Sequence, residues 1–175
     1  TAGSISPLAL VNRSPVKNWN GVGPRDFADG IEEYDDAHIK KYQKRRYACW
    51  RCAIACGGEM VVSEPGPYQG TKHHQVEYET AAAFGTLNLV ASMPARSTIS
   101  FAIECFENGV LTERDTDGLA LHWGDDRILV TLLEKMARRE GIGDVLADGV
   151  AKAASRIGPA AAAYAIHLGG QEPAM

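Results

Sequence analysis

Apolar residues recur at helical spacing through the C-terminal half of the chain. The widest apolar face contains Ile128, Leu132 and Met136, whose spacing places them on one side of a helix. Asp125 directly precedes this run and belongs to the residue types that cap helix N-termini. A second apolar stripe follows Pro94 and ends at a glycine at position 109, which suits a helix that begins with proline and stops at glycine. The pattern therefore predicts two amphipathic helices in this half.

Two further helices are predicted on either side of these. Residues 79–91 are rich in Ala and Leu, which favours a helix. Asp144 is placed to cap another helix that runs to about Arg156, and the pair Gly158-Pro159 would stop it.

The N-terminal half shows weaker patterning. Residues 1–30 are rich in Gly, Pro, Ser and Asn and predict an irregular lead-in. A partly exposed helix is predicted over 32–47, and a loop over 57–74. Since no run of alternating residues suggests strands, the prediction is a mainly α, single domain over 1–175, with a Gly/Pro-rich lead-in and a Cys-rich loop.

Charge and composition exclude some partners. The chain has 175 residues, with 18 basic and 22 acidic side chains and a formal charge of −4. This balance argues against nucleic acid or an anionic membrane as a partner, and no apolar stretch is long enough for a membrane span. The chain begins with Thr and not Met, so we expect a fragment of a longer protein.

Three cysteines crowd into one short segment. Cys49, Cys52 and Cys56 are separated by two and then three residues, so their thiolates can face one metal centre. This spacing resembles the one-loop binding runs of iron–sulfur clusters, and clustered thiols indicate a reduced, cytoplasmic setting. Trp50, between two of these ligands, is expected to shield the cluster from water. The fourth cysteine, Cys105, lies on an apolar helix face and is expected to be a buried, inert thiol.

Two other readings of the cysteines stay open. A structural zinc site would take His73 or His74 as its fourth ligand and would make the protein a helical binding module without redox activity. Alternatively, the domain carries no metal and is stable through its helices alone.

The order of these features resembles the second domain of the aldehyde ferredoxin oxidoreductases. The stretch Glu77-Tyr78-Glu79-Thr80 resembles the family's EYET segment. The matching segments, in order, are 8–20, the cysteine loop, 77–80, 103–109, 123–133, 138–150 and 166–173. The resemblance thus covers nearly all of the chain.

The resemblance implies a fuller function. The family's enzymes hold tungsten, sometimes molybdenum, on two pyranopterins beside a [4Fe–4S] cluster, oxidise aldehydes to carboxylic acids and reduce ferredoxin. A related branch reduces aromatic acyl-CoA thioesters. The partners expected are ferredoxin or a similar electron carrier and the remaining domains of the same enzyme, with self-association left open. Because the family's fourth cluster cysteine lies in its third domain, this chain by itself should be catalytically incomplete.

The same resemblance suggests further site residues. Glu77 and Glu79 are the candidate catalytic acid and base, although Glu79 could instead cap the following helix. Arg96 and Ser97 stand near the places of two carboxylates in the family's pterin motif, which leaves the pterin contact altered here. His167, before a glycine pair, is a candidate at the cofactor edge.

Overall fold

The computed structural model describes residues 17–21, 37, 40–75 and 93–172, with 93–97 and 126 described by their backbone alone. Among the elements whose bounds the structure describes, three strands precede the helices. The strands are β1 Gln43–Tyr47, β2 Gly57–Val61 and β3 Lys72–His74. The helices are α1 Met93–Glu107, α2 Asp126–Arg138, α3 Ile142–Leu146 and α4 Val150–Ile157, followed by a 3₁₀ helix over Pro159–Tyr164.

The strands form an antiparallel sheet in the order β1–β2–β3. Tyr47 pairs with Gly57 where β1 and β2 meet the connecting loop, and Glu59 pairs with His74 of β3. A Cβ atom on Gly57 would overlap the Tyr47 ring, so only glycine fits there without moving the ring. The register shifts between Gln43 and Arg45, which marks a bulge in β1.

This sheet corrects two predictions. The helix predicted over 32–47 is wrong for Gln43–Tyr47, and the loop predicted over 57–74 is wrong for β2 and β3. The charged run of β1 is compatible with a helix by composition alone. It forms a strand because β2 supplies hydrogen-bond partners, and strand formation depends on such context more than helix formation does.

Helix α2 confirms the predicted cap. The Asp125 side chain accepts hydrogen bonds from the backbone N–H groups of Arg127 and Ile128, at 3.0 and 3.2 Å. These bonds satisfy donors that the first helical turn leaves without partners. At the other end, Arg139 adopts a left-handed conformation with φ of 53° and ends the helix.

Helix α1 also follows the prediction. It contains Pro94 as its second residue, and Gly109 beyond its end has a φ of 71°, a conformation that favours glycine. The helix predicted over 79–91 lies outside the described residues.

The region after α2 contains two short helices instead of the one predicted from Asp144. Asp144 lies inside α3, where its carboxylate binds Arg139 and Arg156 at 3.2 and 2.8 Å. Helix α4 begins after Gly149, and the N–H of Val150 donates to the Glu172 carboxylate at 2.6 Å. Glu172, far along the chain, therefore accepts the hydrogen bond at the start of α4, the capping role that the sequence predicts for Asp144.

Asp117 fixes the turn that precedes α3. Its carboxylate accepts a hydrogen bond from the backbone N–H of Ile142 and pairs with Lys135 of α2, both at 2.9 Å. The Ile142 N–H, followed by Lys135, lowers the pKa of the Asp117 carboxyl below its usual range. The ionised carboxylate thus ties the connection after α1 to α2 and α3.

The hydrophobic core lies among the helices. Its largest fully buried side chains include Phe101, Leu121, Leu132, Leu146 and Val150. The fold therefore combines a helical core with a small antiparallel sheet. The mainly α prediction is confirmed in part, because it did not include the sheet. None of the described helices has the length and apolar character that would let it cross a membrane.

Residues of the lead-in are anchored on the helical core. The buried Glu104 carboxylate of α1 accepts hydrogen bonds from the side-chain amides of Asn18 and Asn20. Asn18 also donates to the backbone carbonyl of Tyr164 at 3.0 Å. The short turn at 17–20 is thus held by two neutral amide donors, the buried Asn18 and the exposed Asn20, around one carboxylate.

Candidate metal centre

The three clustered cysteines lie on the loop that joins β1 to β2. Residues 48–56, here called the cysteine loop, leave the sheet after Tyr47 and return at Gly57. The N–H of Cys52 donates to the carbonyl of Cys49 at 3.0 Å, which folds the first part of the loop into a tight turn. The predicted arrangement of the three cysteines on one loop is therefore confirmed.

Two residues of this loop have backbone conformations that L-amino acids rarely adopt. Arg51 has a φ of 58° and Ala55 a φ of 50°. Each directly precedes a cysteine, Cys52 in the first case and Cys56 in the second. Residues other than glycine lose free energy when they adopt this left-handed conformation. Arg51 and Ala55 therefore mark the places where the chain reverses before the next cysteine.

Arg46 holds the second of these reversals. Its guanidinium donates to the backbone carbonyl of Ala55 through Nε at 3.2 Å and through Nη2 at 3.0 Å. The same Nη2 donates to the carbonyl of Ile54 at 3.2 Å. The planar guanidinium can serve both carbonyls at once because its donors are fixed in a fork. Arg46, the second-last residue of β1, therefore clamps the chain just before Cys56.

The donor set fits an iron–sulfur cluster in kind. All three thiols are free, Cys49 being exposed and the other two half-buried, and clusters are held almost entirely by Cys thiolates. Arg46 and Arg51 place positive charge beside them, which favours thiolates. Among the described residues, however, no group of three or more His, Cys, Asp or Glu side chains is arranged to hold a metal ion. Ligation by Cys49, Cys52 and Cys56 stays a prediction.

The two histidines proposed as zinc ligands have other contacts. The ring of His74 lies edge-on against the Tyr47 ring, with centroids 5.3 Å apart. His73 Nδ1 lies 2.9 Å from the carbonyl oxygen of His74, which can only accept, so this nitrogen is the donor. These contacts give both rings a role in the sheet. A histidine whose Nδ1–H donates to a carbonyl can still bind a metal through Nε2, so the zinc interpretation stays a prediction.

The prediction that Trp50 shields the metal from water is wrong in this structure. Trp50 is 85% exposed, and Ile54 on the same loop is 69% exposed. The Arg51 guanidinium lies over the Trp50 ring, 4.4 Å from its centroid. The loop therefore presents an apolar and basic tip to solvent.

Of the remaining predicted site residues, only His167 has a described side chain. Glu77 and Glu79 lie outside the described residues, and Arg96 and Ser97 are described only as backbone within α1. His167 is exposed and lines an open groove of about 430 Å³ between α4 and the 3₁₀ helix. Its Nδ1 accepts a hydrogen bond from the N–H of Gly170 at 3.3 Å.

Cys105 confirms the prediction of an inert thiol. It is fully buried in the helical core, and burial, with a smaller contribution from the Glu104 charge, raises its pKa to about 12. A thiol in this state is a poor metal ligand and a poor nucleophile.

Two structural contacts were not foreseen from the sequence. The clamp made by Arg46 was visible only as one of several basic residues that flank the cysteines. The pairing of Asn18 and Asn20 with Glu104 joins positions more than 80 residues apart, and no local pattern signals it.

Comparison with known proteins places the chain in a family. The model of aldehyde ferredoxin oxidoreductase domains 2 and 3 matches residues 1–97 and 92–175. An aliphatic sulfonate oxidoreductase WOR-like subunit of Pyrococcus furiosus is 29% identical over 89% of this chain and 28% of its own length. A tungsten-containing aldehyde ferredoxin oxidoreductase of the same organism is 29% identical, over 85% of this chain and 27% of its own.

A solved structure is also similar. It is the active site complex BamBC of benzoyl coenzyme A reductase with 1,5-dienoyl-CoA, with a TM-score of 0.62 and 26% identity. The match covers 81% of this chain and 23% of that one. This chain spans between a quarter and three tenths of the length of the curated relatives above. Since the family model matches along the whole length of this chain, the chain belongs to the aldehyde ferredoxin oxidoreductase family.

Proposed function

We propose that this chain is the cluster-bearing part of a tungsten-pterin oxidoreductase that oxidises aldehydes to carboxylic acids and passes the electrons to ferredoxin or a similar carrier. Cys49, Cys52 and Cys56 are its ligands to a [4Fe–4S] cluster. The observation that supports this most directly is the hairpin loop that carries three free thiols and is clamped by Arg46. The curated relatives named as tungsten enzymes support the pterin-bound metal.

The residues of the loop have separate tasks in this proposal. The cluster, when bound, supplies a one-electron relay. The three cysteines bind it as thiolates, and the left-handed residues Arg51 and Ala55 reverse the chain directly before Cys52 and Cys56. Arg46 fixes the return of the loop and, with Arg51, offsets negative charge near the thiolates.

Other residues are assigned by the family likeness. Glu77 is proposed to exchange protons at the pterin-bound metal with Glu79 beside it, and Arg96, Ser97 and His167 are proposed to contact the pterin cofactor. The fourth cluster ligand and the rest of the active site come from the remaining domains of the same enzyme. The chain corresponds in this proposal to the family's second domain and works in the cytoplasm.

The reduction of an aromatic acyl-CoA thioester is the second candidate. The likeness to the benzoyl coenzyme A reductase complex favours it. So does the segment 92–97, which has Arg96 and Ser97 where the resemblance implies carboxylates. Assays of the intact enzyme with an aldehyde and with benzoyl-CoA as alternative substrates separate the two.

Metal analysis tests the cluster. The intact enzyme is purified anaerobically, and iron, acid-labile sulfide, tungsten and zinc are measured together with the visible spectrum. We expect close to four irons and four sulfides per chain with broad brown absorbance, and loss of both in a Cys52→Ser variant. A colourless protein with one zinc per chain that Cys52→Ser removes would refute the redox function and support a binding module. A metal-free protein would leave a purely structural domain.

A further inference from the structure

Charge is divided unevenly between the sheet and the rest of the chain. Residues 40–75 carry seven basic and two acidic side chains, whereas all other residues together carry eleven basic and twenty acidic. Both acidic side chains of this segment are ion-paired, Glu59 with Arg45 at 2.6 Å and Glu64 with Lys41 at 3.5 Å. The sheet and the cysteine loop are therefore a basic unit in an otherwise acidic chain.

Several of the remaining cations are free to meet a partner. Lys44, Arg51 and Lys72 are exposed, and no carboxylate of the described residues pairs with them. Arg46 is exposed as well and donates to the backbone carbonyls of the loop, so within the described part of the chain no carboxylate neutralises its charge. Arg46 and Arg51 lie directly beside the cysteines.

The tip of the cysteine loop adds an apolar contact surface. Trp50 and Ile54 are 85% and 69% exposed, and the Arg51 guanidinium covers one face of the Trp50 ring. Tryptophan and arginine are the residue types enriched at the centres of protein interfaces. An apolar centre beside unneutralised cations suits a protein partner whose surface is acidic.

We infer that the tip of the cysteine loop, formed by Trp50, Arg51 and Ile54 on the basic segment 40–75, is the docking surface for a separate, acidic electron-carrier protein. This inference rests on the proposed function, because the carrier takes its electron from the cluster that the same loop holds. Electron transfer weakens steeply with distance, and a carrier bound at the tip lies on the loop that carries the thiolates. A second copy of this chain that docks through the same surface is a poor occupant, since it would bring the same positive charge against it.

Steady-state kinetics of the intact enzyme test this surface, with an acidic [4Fe–4S] ferredoxin as the probe. We expect Trp50→Glu to raise the KM for ferredoxin roughly tenfold at low ionic strength, because a negative charge then faces the acidic partner. The difference should shrink at about 0.5 M salt, where screening shortens the range of charge interactions. Trp50→Ala should also raise this KM, with a weaker dependence on salt.

Two controls separate docking from damage to the cluster. Lys152→Glu reverses an exposed charge on α4 and should leave the KM for ferredoxin unchanged. Reduction of a small uncharged dye by the Trp50→Glu enzyme should match the wild type, with unchanged iron and sulfide content. Trp50→Gln replaces Trp50→Glu where the latter does not fold, and a smaller rise in KM is expected.

Each outcome decides the matter. Equal KM values for ferredoxin in the Trp50→Glu and Lys152→Glu enzymes, with normal dye reduction and iron content, overturn the docking surface and leave the proposed function intact. In that case the other domains of the enzyme cover the loop tip. An enzyme without iron and sulfide overturns the proposed function and the docking surface with it.

Discussion

Replacing Arg46 with Met should loosen the cysteine loop while leaving the sheet in place. The variant loses the guanidinium that donates to the carbonyls of Ile54 and Ala55, at 3.0 to 3.2 Å. A typical hydrogen bond contributes roughly 0.5–1.5 kcal/mol net, and one from a charged donor somewhat more. Because this side chain is exposed and two of its contacts share one acceptor, we expect the closed loop to lose about 1–2 kcal/mol.

Two assays measure that loss. In the metal-loaded enzyme, the rate at which an iron chelator removes iron should rise about 5- to 30-fold in Arg46→Met, which is the factor equivalent to that free energy. In the metal-free protein, hydrogen exchange at the amides of the cysteine loop should accelerate by a similar factor, so the second assay does not depend on the cluster.

Arg45→Met is the matched control. Arg45 is the preceding residue of the same strand, and its guanidinium pairs with Glu59 without contacting the loop carbonyls. The Arg45–Glu59 pair is exposed and contributes little to stability. Equal iron-release and exchange rates in Arg46→Met and Arg45→Met would refute the role of the clamp.

Three further predictions concern the helical part. Asp125→Ala should lower stability by about 1 kcal/mol, measured by urea unfolding, because α2 loses its N-cap. The Asp117 carboxyl has a lowered pKa in the folded protein, so its stabilising effect is present above its usual pKa and disappears as the pH falls through the folded value. Wild-type and Asp117→Asn proteins should therefore differ in unfolding free energy at pH 7 and converge at strongly acidic pH. In the metal-free protein, a thiol reagent at pH 8 should modify three cysteines quickly, and Cys105 only on unfolding.

The sequence predicted those elements whose signal is local. Helix α2 has its cap and its apolar face within one run of residues, and Asp125 caps it as expected. The cysteine spacing likewise indicated a single loop, because three thiols within eight residues cannot lie far apart. Both features depend on short stretches of chain whose geometry the residue types largely determine.

Elements that depend on distant partners were missed. Gln43–Tyr47 is a strand because β2 pairs with it, and a charged pentapeptide does not reveal such a partner. The start of α4 was misplaced because its acceptor is Glu172, twenty-two residues beyond Val150. The clamp by Arg46 was not predictable for the same reason. Arg46 donates to backbone carbonyls, and because every residue has one, the sequence does not show which carbonyls it contacts.

The attachment of Asn18 and Asn20 to Glu104 also affects how the chain folds. These hydrogen bonds join residues 84 and 86 positions apart, and the whole cysteine hairpin lies between the two ends. Bringing the ends of so long a segment together has a large entropic cost, and contacts of this separation slow folding. The hairpin, whose strands are close in sequence, can therefore form before the ring closes, so we expect the cysteine loop to be assembled early and the lead-in to attach to α1 late.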